Sequence, residues 1–437
     1  MGKGILLYET TLPSDAKSWL KEIGWADVLI GIPSHRNGRT IPEVVKAISR
    51  ALAHYLPGQR VVLMNADGGS SDNTARYVLE APVPPNVHKL VTVYEGTMGK
   101  GTAVHAIFEA AAELEVRACA VIEARAPGIE PRWISALIEP VLRGAELSVA
   151  CYQRSAYAAA LTDNLAYPFG RTLFNVDLRD PLASEFCLSG SLTADLAGRD
   201  VWETDVARFG LNVWLTLQTA IEGRNVVQVD LGFRGEPSGE PGMMADARVL
   251  HTVGTMLRFL TIYEKLWQRN PLNKHIPFQG ERLPDQFIPS SECIGALVAA
   301  LRRGAEHYEI EWRRVLSVGT LRSVLALLDQ PDDVFEFAPD LWATVVAEFA
   351  VSYNKGEGDP DKVVEIFAPL FYGRAAAYVR HTQKLTPAER ESSTEEVVSA
   401  FAAAKPFLLD LWNRYQPWMG VPENPSQGEG ESFLSVG

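Results

Sequence analysis

The sequence predicts an α/β protein: a doubly wound, mostly parallel sheet followed by an all-helical C-terminal domain. From residue 26 to about 234, short β-branched runs alternate with amphipathic stretches. From residue 290 onward only helical periodicity remains. The chain has 437 residues, 47% of them hydrophobic, enough to bury more than one full core.

Six segments read as strands: VLIGI (28–32), RVVLMNA (60–66), KLVTVY (89–94), ACAVIEA (118–124), ELSVACY (146–152) and NVVQVDL (225–231). The first four each lead into a helix candidate. Ile41 and Pro42 open the first, and Ser71 with Asp72 is placed to cap the second by accepting free backbone amides. Residues 101–115 and 131–142 follow the same pattern. The apolar stretch FGLNVWLTLQTAIEG (209–223) reads as a buried helix closed by Gly223. A loop rich in Gly and Pro, GFRGEPSGEPG, then precedes the long helical pattern VLHTVGTMLRFLTIYEKLWQR. Five further helical segments lie between residue 290 and residue 418, and no repeat of fixed period is present. The expected division is a sheet domain over 1–270, a helical domain over 271–418 and a flexible tail over 419–437.

Charge and cysteine content narrow the function. The net charge of -13 is spread along the chain without a basic run, which argues against nucleic acid as a partner. Cysteines at 119, 151, 187 and 293 form no CxxC pair and no zinc-ligand spacing, so they read as buried thiols of a reducing compartment. No stretch reaches the ~18 apolar residues of a membrane span, and the N-terminus lacks the features of a secretory signal. A cytoplasmic protein without a transmembrane segment is expected. Oligomeric state stays open, since the Trp- and Phe-rich C-terminal helices suit a dimer interface as well as a core.

Ligands of an open parallel sheet sit beyond the carboxyl ends of its strands. Three such places carry polar chemistry. In GIPSHRNGRT (31–40), Pro33 ends the strand and Ser, His, Arg and Asn follow; an ordinary strand-to-helix loop is the competing reading. In NADGGSSDNT (65–74), Asp67 is placed to accept a hydrogen bond from the N–H of a uracil or guanine ring, against a plain Asp-Gly turn. In EGTMGKGTAVHAIFEA (95–110), helix-start amides and Lys100 suit a diphosphate, although Gly-rich helix starts are common and the Walker A spacing is absent.

Together these three elements resemble the N-terminal half of the family 2-like GT-A glycosyltransferases. Closer still is the resemblance to the mannosylglycerate synthase and glucosyl-3-phosphoglycerate synthase type. The segments at 121–144, 162–190, 209–232 and 253–267 carry that closer likeness, which spans roughly residues 26–270. The resemblance implies a GT-A fold and transfer of a hexose from a UDP- or GDP-sugar to a small hydroxylated acceptor such as a glycerate-type acid, with retention at the anomeric carbon. It places Pro33 and Asp67 at the base and ribose, and Lys100 near the base or phosphates. Glu185, in the ASEF segment that matches the family's acceptor element, faces the reacting sugar or the incoming hydroxyl. A carboxylate there orients the hydroxyl or stabilises an oxocarbenium-like transition state; a charge at a helix start is the alternative.

The departures from the family pattern fall on one function. The Asp-x-Asp metal motif aligns with Glu123-Ala124-Arg125, the later His-Asp-Pro with Gly235-Glu236-Pro237, and Asn212 stands where relatives often carry Asp. Glu123 is thus the one remaining ligand of the acidic pair for Mg²⁺ or Mn²⁺, with Glu236 and His251 the nearest replacement candidates. Any ion leans on the diphosphate itself, or none is used. Arg125 is then expected to contact phosphate oxygens or to pair with Glu123. A catalytically silent nucleotide-sugar-binding or regulatory protein is the alternative. A nucleotidyltransferase ranks below both, because its Gly-rich N-terminal phosphate loop is missing.

Overall fold

The computed structural model describes residues 10–234, 243–269, 274–280, 283–288 and 294–416. The β-branched runs form β1 (Val28–Ser34), β2 (Val61–Asp67), β3 (Val87–Val93), β4 (Ala118–Val121) and β5 (Leu147–Gln153). β6 (Phe186–Ser189), β7 (Val226–Phe233) and a short edge strand β8 (Phe278–Gln279) complete one sheet in the order β8-β7-β5-β6-β4-β1-β2-β3. Its pairings are parallel except those of β6, which runs antiparallel between β4 and β5. β1 and β2 are buried along their whole length, as expected of central parallel strands covered on both faces.

The helices around this sheet are α1 (Ser14–Ile23), α2 (Ile41–Tyr55), α3 (Thr74–Glu80), α4 (Lys100–Glu113), α5 (Pro131–Leu142), α6 (Gly190–Ala197) and α7 (Leu211–Ile221). α2 packs with α3 and α5, while α4 packs with α1 and α6, so two helical layers enclose the strands. This mostly parallel sheet with a C-terminal helical region agrees with the expected α/β class. The N-cap of α3 is Asn73 and not Ser71 or Asp72; Asp72, one residue earlier, accepts from the Thr74 amide at 3.1 Å and from the Gly38 amide at 2.8 Å.

Three details differ from expectation. Pro33 does not end its strand: β1 continues to Ser34, with Pro33 paired to Ala66. The β4 ladder stops at Gly31, so the missing N–H of Pro33 takes nothing from it. β6 and β8 were not legible, because strands of four and two residues give no periodicity to read.

The chain divides into two compact units, and the helical one holds more than the C-terminal domain expected from residue 271. The sheet unit comprises Met1–Arg154, Leu178–Gly239 and Lys274–Pro284; the second unit comprises Ser155–Asp177, Glu240–Asn273 and Asp285–Gly437. The transferred segments are helical, Ala156–Leu173 with a π-turn at Thr162–Ala166, and Met243–Ile262. They pack with the helices Pro339–Lys355, Pro360–Thr382 and Pro387–Arg414. The reason is visible at the π-turn. The Asn164 carbonyl accepts from Trp342 Nε1 at 2.7 Å and its Oδ1 from Arg374 Nε at 2.9 Å, so this buried polar side chain finds its partners within the helical unit. Burial pushes the Arg374 guanidinium down to about 10. The segment 419–437 lies outside the described residues. Among those residues no helix is long and apolar enough to cross a membrane.

Candidate active site

The sheet unit gathers its chemistry at one edge. Because β6 runs antiparallel, its start lies where the parallel strands finish. Phe186 pairs with Val121 on β4 and Val149 on β5, and the preceding Glu185 accepts the Ala150 amide at 3.2 Å through its carbonyl. Glu123 follows β4 by two residues, Tyr152 is the penultimate residue of β5, and Arg234 comes directly after β7. The Arg234 amide donates to the Gln153 carbonyl at 3.1 Å, which fixes the side chain beside Tyr152.

These residues form a continuous ionic network. Lys100 Nζ donates to Glu123 Oε1 at 2.6 Å, and Arg234 Nη2 donates to Glu123 Oε2 at 2.7 Å. Arg234 Nη1 and the Tyr152 hydroxyl both donate to Glu185 Oε2 through short contacts. The guanidinium carbon of Arg234 lies 5.0 Å from the Tyr152 ring centre, and Trp133 stands behind that ring at 5.4 Å. Exposure is graded across the network: the Glu185 side chain is 0% exposed, Arg234 12%, Lys100 14% and Glu123 24%. Glu123 therefore faces the accessible side and Glu185 the closed one.

Burial raises the Glu185 carboxyl above the ordinary carboxylate range; Arg234 pulls it down and Glu123 adds to the rise. Burial likewise opposes the charge on Arg234, but Glu185, Tyr152 and Glu123 outweigh it and keep the guanidinium protonated. Tyr152 is pushed well above its usual value by burial and then by Glu185, so it stays a hydrogen-bond donor. Both donors to Glu185 use one oxygen. The other, Oε1, is buried and has no hydrogen-bond partner among the described residues. Asn212 on α7 donates through Nδ2 to the Leu182 carbonyl at 3.3 Å, and its own Oδ1 is buried without a partner among the described residues.

The Gly-Lys-Gly element has a packing cause. A Cβ on Gly99 would stand 2.2 Å from the Ala207 carbonyl oxygen, and one on Gly101 1.8 Å from that of Val206. Only glycine lets the turn Asp205–Ala207 lie against the start of α4, and this close approach sets where Lys100 leaves the helix.

The expected nucleotide residues occupy the neighbouring strand ends. Asp67, the last residue of β2 and 2% exposed, accepts from Ser34 Oγ at 2.6 Å, Ser70 Oγ at 2.7 Å and the Ser70 amide at 2.6 Å. It organises the Asp-Gly loop, whose Gly68 carbonyl meets His35 Nδ1 at 3.0 Å. Pro33 is buried within β1, and Arg125 lies half-buried in the loop after β4. The structure joins Lys100, Glu123 and Glu185 in one network, while Asp67 and Pro33 belong to the β1–β2 end. Sequence reasoning missed Tyr152 and Arg234. Both stand at or directly after a strand end, where the rule that exposed Asp67 and Lys100 points.

The metal expectation does not fit this donor set. Both Glu123 oxygens are engaged by cations, so the carboxylate is poorly placed to serve as the ligand of a divalent ion. Among the described residues no three His, Cys, Asp or Glu side chains gather as a metal site. Glu236 lies outside the described residues, and His251 belongs to Met243–Ile262 of the helical unit.

No family model and no curated protein matches the chain. Solved structures of glucosyl-3-phosphoglycerate synthase from Mycobacterium tuberculosis are similar in fold. The complex with Mn²⁺, UDP and glucosyl-3-phosphoglycerate is 19% identical, covering 56% of this chain and 81% of that one, with a TM-score of 0.42. The complex with Mn²⁺, UDP-glucose and phosphoglyceric acid is 17% identical, covering 58% and 85%, with a TM-score of 0.41. The structure described by the enzyme's name alone is 16% identical, covering 58% and 86%, with a TM-score of 0.40.

Proposed function

We propose that this chain is a nucleotide-sugar-dependent glycosyltransferase that moves a hexose from a UDP- or GDP-sugar to a small hydroxylated acceptor such as a glycerate-type acid, with retention at the anomeric carbon. The supporting observation is the Lys100–Glu123–Arg234–Glu185–Tyr152 network at the carboxyl edge of the sheet, where an α/β sheet binds its ligands. The order of motifs that resembles the GT-A transferases supports the same reading. Glu185 is the catalytic candidate. Held through Oε2 by Tyr152 and Arg234, it has Oε1 left for the acceptor hydroxyl, or for the positive charge that develops at the anomeric carbon, once displacement of Glu123 opens the closed side of the network. The β1 and β2 ends, with Pro33, Asp67 and the Gly68 loop, take the base and ribose. No step is routed through a divalent ion.

One observation favours the silent alternative: the charged groups already satisfy one another, as they would in a protein that only binds. Incubation with UDP-glucose and GDP-mannose in the presence of glycerate-type acceptors separates the two. A glycoside of the acceptor, with one nucleoside diphosphate released for each, is expected. Tight nucleotide-sugar binding without product would establish the silent protein instead, and neither binding nor product would remove both readings.

A further inference from the structure

We propose that Arg234 and Lys100 are a built-in diphosphate clamp, and that Glu123 is a placeholder which the diphosphate displaces, so that donor binding needs no divalent ion. The inference rests on the nucleotide-sugar reading for its ligand, but on the geometry for its chemistry.

Arg234 spends two of its N–H groups on Glu185 and Glu123, and Lys100 one on Glu123. Both cations therefore keep further N–H donors, the complement a diphosphate requires. The network is not symmetric. Glu185 is closed off and locked on Arg234 and Tyr152, which holds the guanidinium in place as a fixed charge. Glu123 is the most exposed of the four charged members, at 24%, and bridges the two cations on the accessible side. A diphosphate can replace one bridging carboxylate by its own oxygens, an exchange of ion pairs that leaves neither cation unpaired. An isolated buried guanidinium is costly without a counter-charge, which gives Glu123 a role before the ligand arrives.

The sign of one substitution separates this from a metal site. If Glu123 competes with the diphosphate, Glu123→Gln removes the competitor and affinity rises; if Glu123 holds a metal, the same change lowers it. Calorimetric titration with UDP, GDP and inorganic pyrophosphate in EDTA, and again with Mn²⁺, reads both. For the native protein the clamp predicts equal affinities in the two media. Glu123→Gln is expected to bind several-fold more tightly. Arg234→Lys, which keeps the charge but loses the fork, is expected to bind about ten- to a hundredfold more weakly with its melting transition retained. Lys100→Met supplies a second weakening variant should Arg234→Lys fail to fold.

Binding that appears only with Mn²⁺, or a Glu123→Gln protein that has lost affinity, overturns the clamp even if sugar transfer is observed. Pyrophosphate and UDP that bind in EDTA without any sugar transfer uphold the clamp while the transferase reading fails.

Discussion

At the residue scale, chemistry was legible where it sits at a strand end and hidden where it depends on a partner. Lys100, Glu123 and Glu185 stood out in the sequence for their place after a strand or in a matching motif, and the fold joins them. That Glu123 bridges two cations was not legible, since its partners lie 23 and 111 residues away. Asp67 shows the reverse. It was read as an acceptor for a base, and it is also the buried anchor of the Ser34 and Ser70 hydroxyls. Glu185 yields the sharpest test at this scale. Glu185→Gln keeps the shape but removes the charge from the reacting edge, so kcat is expected to fall about a hundredfold or more, with a smaller loss of donor affinity through the Arg234 that Glu185 holds. Rapid-quench kinetics alongside calorimetry measures both. A collapse of donor affinity at an unchanged rate per bound donor would make the residue structural.

At the scale of elements, the long strands and helices followed their periodicity, and the errors fell on short or doubly buried pieces. β6 is four residues, buried and antiparallel, and nothing in FCLS announces a reversal of direction. Yet that reversal is what brings Glu185 to the carboxyl edge. The Gly-Lys-Gly element was legible as a helix start, but its packing cause was not, because the turn that needs it lies a hundred residues on. Gly101→Ala sets a Cβ against the Val206 carbonyl oxygen, and the turn or the start of α4 must shift. A loss of about 1–3 kcal/mol in urea unfolding is expected, with weaker diphosphate binding through displacement of Lys100. An unchanged midpoint and affinity would show that the contact is not needed.

For the whole molecule, the α/β sheet and the helical region were legible, whereas the allotment of chain to each unit was not. Periodicity reports which segments are helical, but not which core they join. The segment Ala156–Leu173 follows β5 in sequence and belongs with the C-terminal helices, because its π-turn buries Asp163 and Asn164 against Tyr378, Arg374 and Trp342. Among the described residues the sheet unit has an edge where strand ends, fixed charges and a buried orphaned acceptor coincide, and this edge is proposed to hold the donor. A crystal structure of the protein soaked with UDP-glucose in EDTA tests it most directly. The uracil is expected at the β1–β2 end near Asp67, the diphosphate within hydrogen-bonding reach of Arg234 and Lys100 with Glu123 turned aside, and the anomeric carbon facing Glu185 Oε1. Nucleotide density at any other place on the sheet unit, with the Lys100–Glu123–Arg234 bridges intact, would contradict it.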